Sequence, residues 1–442
     1  MTPALDLAPF VDRRQRFADA VGDGLAVIPG AREVLRNGDV AYEFRQDSDF
    51  FFLTGFEEPD AVAVINPSHA KERYVLFVRP RDREREIWNG RRAGVGGAVA
   101  DYGADAAYPI DELDRRLREY ILDRPSLVYR LGNPAFDGRI TRLLAEGRAA
   151  GSRGQVTPAT IEDPGPIVHE MRLRRSPGEL ARQRRACEIS REAHAEAMRY
   201  ARPGQYEYQV QAALEFVFRA HGSPRNGYPS IVASGPNACI LHYTENRRRM
   251  ADGDLLLIDA GCEWGYHTAD ITRTFPVNGR FTGPQRAIYE LVLRAQAAGL
   301  AAVRPGNRLE AVHDAVRRVL AEGLVELGLL PRGVADSLAM HHYREFYPHG
   351  TSHWLGMDVH DVGDYRIRRV SRPLEAGMVL TVEPGLYFQT DDLTVPAKYR
   401  GIGVRIEDDI LVTPKGHRVL SAGLPREAEE VEAWMREIWK RR

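Results

Sequence analysis

A chain of 442 residues is too long for one ordinary hydrophobic core, so its length points to two domains, each burying a core of its own. Hydrophobic residues at 43% and charged residues at 28% form a globular balance that excludes global disorder. A formal net charge of -1, from 61 Lys plus Arg against 62 Asp plus Glu, provides no field for nucleic acid or an anionic membrane and points to small or neutral partners.

The N-terminus lacks a basic segment followed by an apolar stretch and a small-residue cleavage site. No apolar run approaches the roughly 18 residues that a spanning helix needs. The expectation is a protein that is neither secreted nor inserted in a membrane. Residues 1 to about 170 alternate helix-like segments with short apolar runs, Ala61-Val62-Ala63-Val64-Ile65 and Tyr74-Val75-Leu76-Phe77-Val78, that read as buried strands of an α/β domain. A mixed-charge run from Arg79 to Glu86 reads as a solvated loop, and Trp88 follows it as an aromatic able to cover a ligand ring. Arg153 reads either as a surface cation or as a distant binding arginine.

The stretch Asp163-Pro164-Gly165-Pro166 and the residues just after it mark the domain boundary, giving domains of residues 1–172 and 173–442. Ser176-Pro177-Gly178-Glu179 then combines an N-cap serine, a proline at the first helical position and a capping-box glutamate, and predicts the start of a long helix. Cys187, Cys239 and Cys262 are odd in number and far apart, which suits neither a disulfide framework nor a zinc–thiolate site. They read as inert packing residues of a protein in a reducing cytoplasm.

One internal similarity stands out. Gly253-Asp254-Leu255-Leu256-Leu257-Ile258-Asp259-Ala260-Gly261 matches Gly377-Met378-Val379-Leu380-Thr381-Val382-Glu383-Pro384-Gly385 in its glycines, a leucine and its acid. Each is an apolar strand ending in a carboxylate, followed by a turn and a returning strand with a second acid, Asp270 in one case and Glu407 in the other. Burying such acids is costly unless cations compensate them. Between the repeats His349, His353 and His360 cluster within twelve residues, a grouping that suits metal binding and proton movement. Four carboxylates and one imidazole form an oxygen-rich set for two divalent ions, with manganese favoured and cobalt, zinc or iron as chemical alternatives.

On these residues the chain resembles the aminopeptidase P branch of the pita-bread metallopeptidases, whose relatives include prolidase, methionine aminopeptidase and creatinase. The matching motifs are Leu257 to Gly261, Ala269 to Phe275, His349 to Asp361, Val382 to Gly385 and Gly403 to Asp408, joined in the N-terminal half by Asp47 to Phe56, Trp88 to Arg92 and His169 to Arg172. The resemblance implies an N-terminal creatinase/prolidase-like α/β domain followed by a pita-bread catalytic domain with a curved antiparallel sheet. It implies that Asp259 binds one metal, that Asp270 and Glu407 bridge, and that His353 and Glu383 bind the other. Glu383 would accept a proton from the attacking water, and His360 would donate to the developing oxyanion. His242 and His349 would orient the peptide, and Arg405 would fix the bridging carboxylates from behind. Trp88, Arg153 and Tyr387 are the substrate-binding expectations. The implied substrates are peptides beginning Xaa-Pro, and the implied assembly is a homodimer or homotetramer.

Other chemistries find no foothold. His169-Glu170 lacks the second histidine of a zinc-protease helix, and neither a glycine-rich phosphate loop nor a nucleophilic serine elbow occurs. Two rivals remain: a prolidase restricted to Xaa-Pro dipeptides, and a non-catalytic pita-bread binding protein. The second, like creatinase-type metal-independent chemistry, is disfavoured because all five ligand positions are retained.

Overall fold

The computed structural model describes residues 6–150, 156–330 and 333–440. The chain divides into two compact units, Met1–Arg172 and Leu173–Arg442. In the first, the β-branched and aromatic runs form the fully buried strands Val62–Ile65 and Tyr74–Val78. Their six-stranded sheet runs in the order Ala106–Pro109, Tyr74–Val78, Val62–Ile65, Leu25–Pro29, Ser126–Val128, Thr160–Glu162. Pairing is antiparallel among the central three strands and parallel outside them. Leu25, Val27, Val64, Phe77, Leu117, Leu127 and Ile140 fill the core on this sheet.

The charged run from Arg79 to Glu86 is a loop only as far as Asp82; its second half opens a helix, Arg83–Asn89, because the Asp82 carboxylate caps the amides of Glu84 and Arg85. It has no buried residue, so no apolar stripe announced it. Trp88 sits on this helix, 86% exposed. Elsewhere in the unit the two motifs Asp47 to Phe56 and His169 to Arg172 converge. Buried Asp49 accepts from Arg172 at 2.7 Å and lies 3.1 Å from His169 Nε2. Burial alone would raise its pKa, but these two partners outweigh burial and hold the carboxyl well below its usual range.

In the second unit Ser176 and Glu179 close a reciprocal capping box that starts the helix Pro177–Tyr200. That helix packs on Glu207–Ala220. Three antiparallel strands follow, Ile231–Ser234, Leu255–Asp259 and Thr272–Pro276. The plan then recurs: Thr282 caps Gly283–Ala302, this packs on Leu309–Glu326, and the antiparallel strands Val379–Val382, Asp408–Thr413 and Gly416–Val419 come after. The glycine ending each repeated motif is a packing requirement. A Cβ on Gly261 would lie 1.7 Å from the Ala269 carbonyl oxygen, and one on Gly385 would lie 2.4 Å from the Tyr387 hydroxyl.

Asp270 and Glu407 lie just ahead of their returning strands, not within them. The Glu407 amide donates to Thr272 O at 3.1 Å, and the Asp270 amide donates to the Asp409 carboxylate at 3.1 Å. Each acid's backbone therefore bonds to the other half of the repeat, which stitches the two carboxylate-bearing hairpins together. No helix among the described residues is long and apolar enough to cross a membrane.

Candidate metal centre

Strand registry brings the acids together. Asp259 ends its strand opposite Thr272, while Glu383 follows Val382, whose partner is Asp408. Both pairs of carboxylates thus reach one cavity of about 550 Å³, lined also by Tyr228, His242, His349, His353, His360 and Arg405. His353 Nε2 lies 3.3 Å from Asp270 Oδ2 and 3.4 Å from Glu383 Oε1. Ligand atoms of Asp270, His353 and Glu407 all fall within 4.8 Å of one another.

Second-layer bonds fix these groups. His353 Nδ1 faces the Trp354 carbonyl at 3.0 Å, which holds the ring so that Nε2 is directed at the acids. Arg405 donates to Asp259 at 2.6 Å, to Tyr387 OH at 3.0 Å and to Thr272 Oγ1 at 3.2 Å. Thr272 in turn donates to Glu407 at 2.6 Å, and Thr381 donates to Glu383 at 3.2 Å. The Tyr228 hydroxyl meets Asp259 at 2.6 Å and also bonds to Asp270. Behind the strands, Arg273 donates to the carbonyls of Thr272 and Glu407 and pairs with buried Asp408 at 2.7 Å.

The electrostatics test whether the set fits a cation. Burial, then the charges of Asp270, Glu383 and Asp259, pushes the Glu407 carboxyl well above its usual range. Burial, with the Asp270 and Asp259 charges, raises Glu383 to about 7, and burial plus the Asp259 charge raises Asp270. Only Asp259 moves down, because the adjacent guanidinium of Arg405 and the Tyr228 hydroxyl outweigh burial. His353 is raised to about 9: burial lowers it, but the hydrogen bond to Asp270 and the charges of Glu383 and Asp270 prevail. Three of the four acids are shifted towards their protonated forms because one arginine and one imidazole do not offset four negative charges. A group of this composition fits divalent ions, which would replace those protons.

The predicted helpers are placed unequally. His349 and His360 stand on either side of His353, with the His353 and His360 rings 4.4 Å apart. His349 Nε2 is 2.8 Å from Tyr387 OH, and burial followed by the Arg405 charge lowers its pKa to about 3, so it stays neutral. Burial also lowers His360, aided by the charges of His353 and His242. Tyr387 is buried behind the cavity, its hydroxyl engaged by His349 and Arg405, and is absent from the cavity lining. Trp88 belongs to the first unit, whereas every residue of the cavity belongs to the second. Arg153 lies outside the described residues. Tyr228 has no motif of its own in the sequence, and Thr272 and Thr381 stand inside the motifs Ala269 to Phe275 and Gly377 to Gly385 without being singled out there.

The family model for metallopeptidase family M24 matches residues 181–414, and that for the aminopeptidase P N-terminal domain matches residues 10–129. The chain is 47% identical to an Xaa-Pro aminopeptidase of Escherichia coli over 96% of its length and 97% of the relative's. It is 43% identical to an Xaa-Pro aminopeptidase of Haemophilus influenzae, covering 96% of each. Among solved structures it superposes on Pseudomonas aeruginosa aminopeptidase PepP with a TM-score of 0.97, at 46% identity and 99% coverage of both chains. Zinc-substituted E. coli aminopeptidase P in complex with product gives a TM-score of 0.95 at 45% identity, covering 98% of this chain and 99% of that one. With its carboxylate–histidine site and its two-part architecture, the chain belongs to metallopeptidase family M24, among the Xaa-Pro aminopeptidases of the pita-bread fold.

Proposed function

We propose that this chain hydrolyses peptides of the form Xaa-Pro-Yaa, releasing Xaa, with two divalent ions held by Asp259, Asp270, His353, Glu383 and Glu407. The observation that carries the reading is the convergence of four carboxylates and His353 Nε2 in one cavity whose protein charges leave the acids short of cations. Manganese is the first choice of metal, with cobalt, zinc or iron as alternatives. Bound ions of this kind acidify a water and polarise a scissile carbonyl.

The chain's own groups do the rest. Glu383, which lines the cavity 3.4 Å from His353 Nε2, takes the proton of the attacking water and returns it to the departing proline nitrogen. His360, which faces the cavity beside His353, donates to the oxyanion as the carbonyl carbon becomes tetrahedral. His242 and neutral His349 orient the peptide and screen the site from water. Arg405 holds Asp259 and, through Thr272, Glu407, so the ligand oxygens need not reorganise during turnover.

Extended peptides are favoured over dipeptides. Among the described residues lining the cavity Arg405 is the only arginine or lysine, and its nitrogens already serve Asp259, Tyr387 and Thr272. A dipeptidase needs fixed cationic donors for the substrate's terminal carboxylate, and this lining offers none to spare. Proline is selected by shape and by the absence of any demand for a donor at its nitrogen. Three free cysteines, all buried, support a reducing, cytoplasmic setting. Exposed apolar residues at Val34, Leu35, Val40 and Tyr42 support self-association into a homodimer or homotetramer.

The test is a peptide panel under saturating manganese: Xaa-Pro-Yaa, its N-acetylated form, Xaa-Pro and Xaa-Ala-Yaa, with kcat/KM and products measured. The free-amine tripeptide should lead and yield Xaa plus Pro-Yaa. Preference for Xaa-Pro would establish a prolidase instead, and rapid cleavage of Xaa-Ala-Yaa would remove proline specificity.

A further inference from the structure

We infer that Glu207 is a positioning residue for catalysis, a buried clamp that sets the loop carrying His242. This rests on the reading of His242 as a substrate-orienting group. Glu207 opens the helix Glu207–Ala220 and is fully buried. Its two carboxylate oxygens divide their work. Oε1 accepts from the Ser234 amide at 2.7 Å, the Ser234 hydroxyl at 2.7 Å and the Asn237 side-chain amide at 3.1 Å. Oε2 accepts from the Tyr243 hydroxyl and the Arg248 amide, both at 2.8 Å.

Oε1 therefore ties the N-terminal end of the 234–248 loop, and Oε2, which Asn237 Nδ2 also reaches at 3.5 Å, ties its middle and its C-terminal end. Gln389 also holds the Cys239 carbonyl at 3.0 Å and Asn246 holds the Val232 amide at 2.9 Å, but His242 itself lies in a turn between the Glu207 anchors, next to Tyr243, with an exposed side chain that lines the catalytic cavity. The backbone repeats the arrangement, since the Glu207 amide donates to Arg248 O at 3.0 Å. Arg248 closes the base of the loop by donating to Ser234 Oγ at 2.8 Å and pairing with Asp254. Every partner of the Glu207 carboxylate is a donor, so the site is specific for an anion at this point. A glutamine of the same shape would direct an NH₂ group at donors and release one end of the loop.

The loop's displacement should act on catalysis through His242, because misplacing a substrate-orienting group by about 1 Å costs up to about 10²-fold in rate. The experiment is a double-mutant cycle with Glu207→Gln and His242→Ala, reading kcat/KM on Xaa-Pro-Yaa, bound metal, and amide hydrogen exchange across residues 234–248. Expected are an impaired Glu207→Gln with wild-type metal content and faster exchange in the loop, and a double variant no worse than His242→Ala within about twofold. Losses that multiply in the double variant, or wild-type kcat/KM in Glu207→Gln, would overturn the proposal. If Glu207→Gln does not fold, Tyr243→Phe removes one anchor alone and the same cycle with His242→Ala decides. An unimpaired His242→Ala would sink the underlying reading of His242, whereas an impaired His242→Ala with multiplying losses would sink only the role of Glu207.

Discussion

Asp270→Asn and Glu407→Gln are expected to fold, to bind divalent metal far more weakly than the parent chain, and to lose peptide hydrolysis to background. Each side chain sits where both hairpins meet, and neither amide can supply the anionic oxygen that a divalent ion needs. Stability should move the other way in the metal-free state. Glu407 has a folded pKa raised well above 4.5, the value it returns to on unfolding. Between those values the folded chain binds the proton and the unfolded chain has lost it, so stability declines as pH rises above 4.5. Metal-free parent protein should accordingly melt lower at pH 7 than at pH 5. In metal-free Glu407→Gln, which has no proton to lose at that position, the decline should be shallower. Calorimetry of metal-stripped samples with verified metal content measures both; a variant that retains full metal affinity and activity would remove Glu407 from the ligand set.

His360→Ala should behave in the opposite manner, keeping its metal and its fold while kcat falls by about 10²–10³, the usual cost of removing a donor to a developing oxyanion. The ring faces the cavity beside His353 and shows no bond to any ligand carboxylate. KM should change little if the bond is made mainly in the transition state. Loss of both ions, with a normal rate after reconstitution, would instead make His360 a structural support of the metal site.

Much of this site is legible in the sequence because its acids are anomalous where they stand. An apolar run that leads into a carboxylate is conspicuous, and Asp259 and Glu383 stand so in matching nine-residue motifs that close on glycines required by packing, Gly261 and Gly385. The strands Val62–Ile65 and Tyr74–Val78, and the capped helix from Pro177, are legible for similar local reasons. What stayed hidden depends on convergence from afar. Tyr228 reaches Asp259 and Asp270 across 31 and 42 residues, and nothing around it repeats or alternates. Glu207 reads as an ordinary acid in a helix's first turn until the loop folds over it. The helix Arg83–Asn89 escaped because it buries nothing, leaving only its aspartate cap as a signal.

The most direct measurement is a titration of metal-free protein with manganese, following turnover of Xaa-Pro-Yaa at neutral pH after chelation has been verified by elemental analysis. In the proposed mechanism four carboxylates and one histidine in a single cavity hold two divalent ions, and uncharged water is a poor nucleophile without them. The two-ion mechanism predicts no turnover without metal, recovery on titration, and saturation at two ions per chain. Full turnover by verified metal-free protein would contradict it.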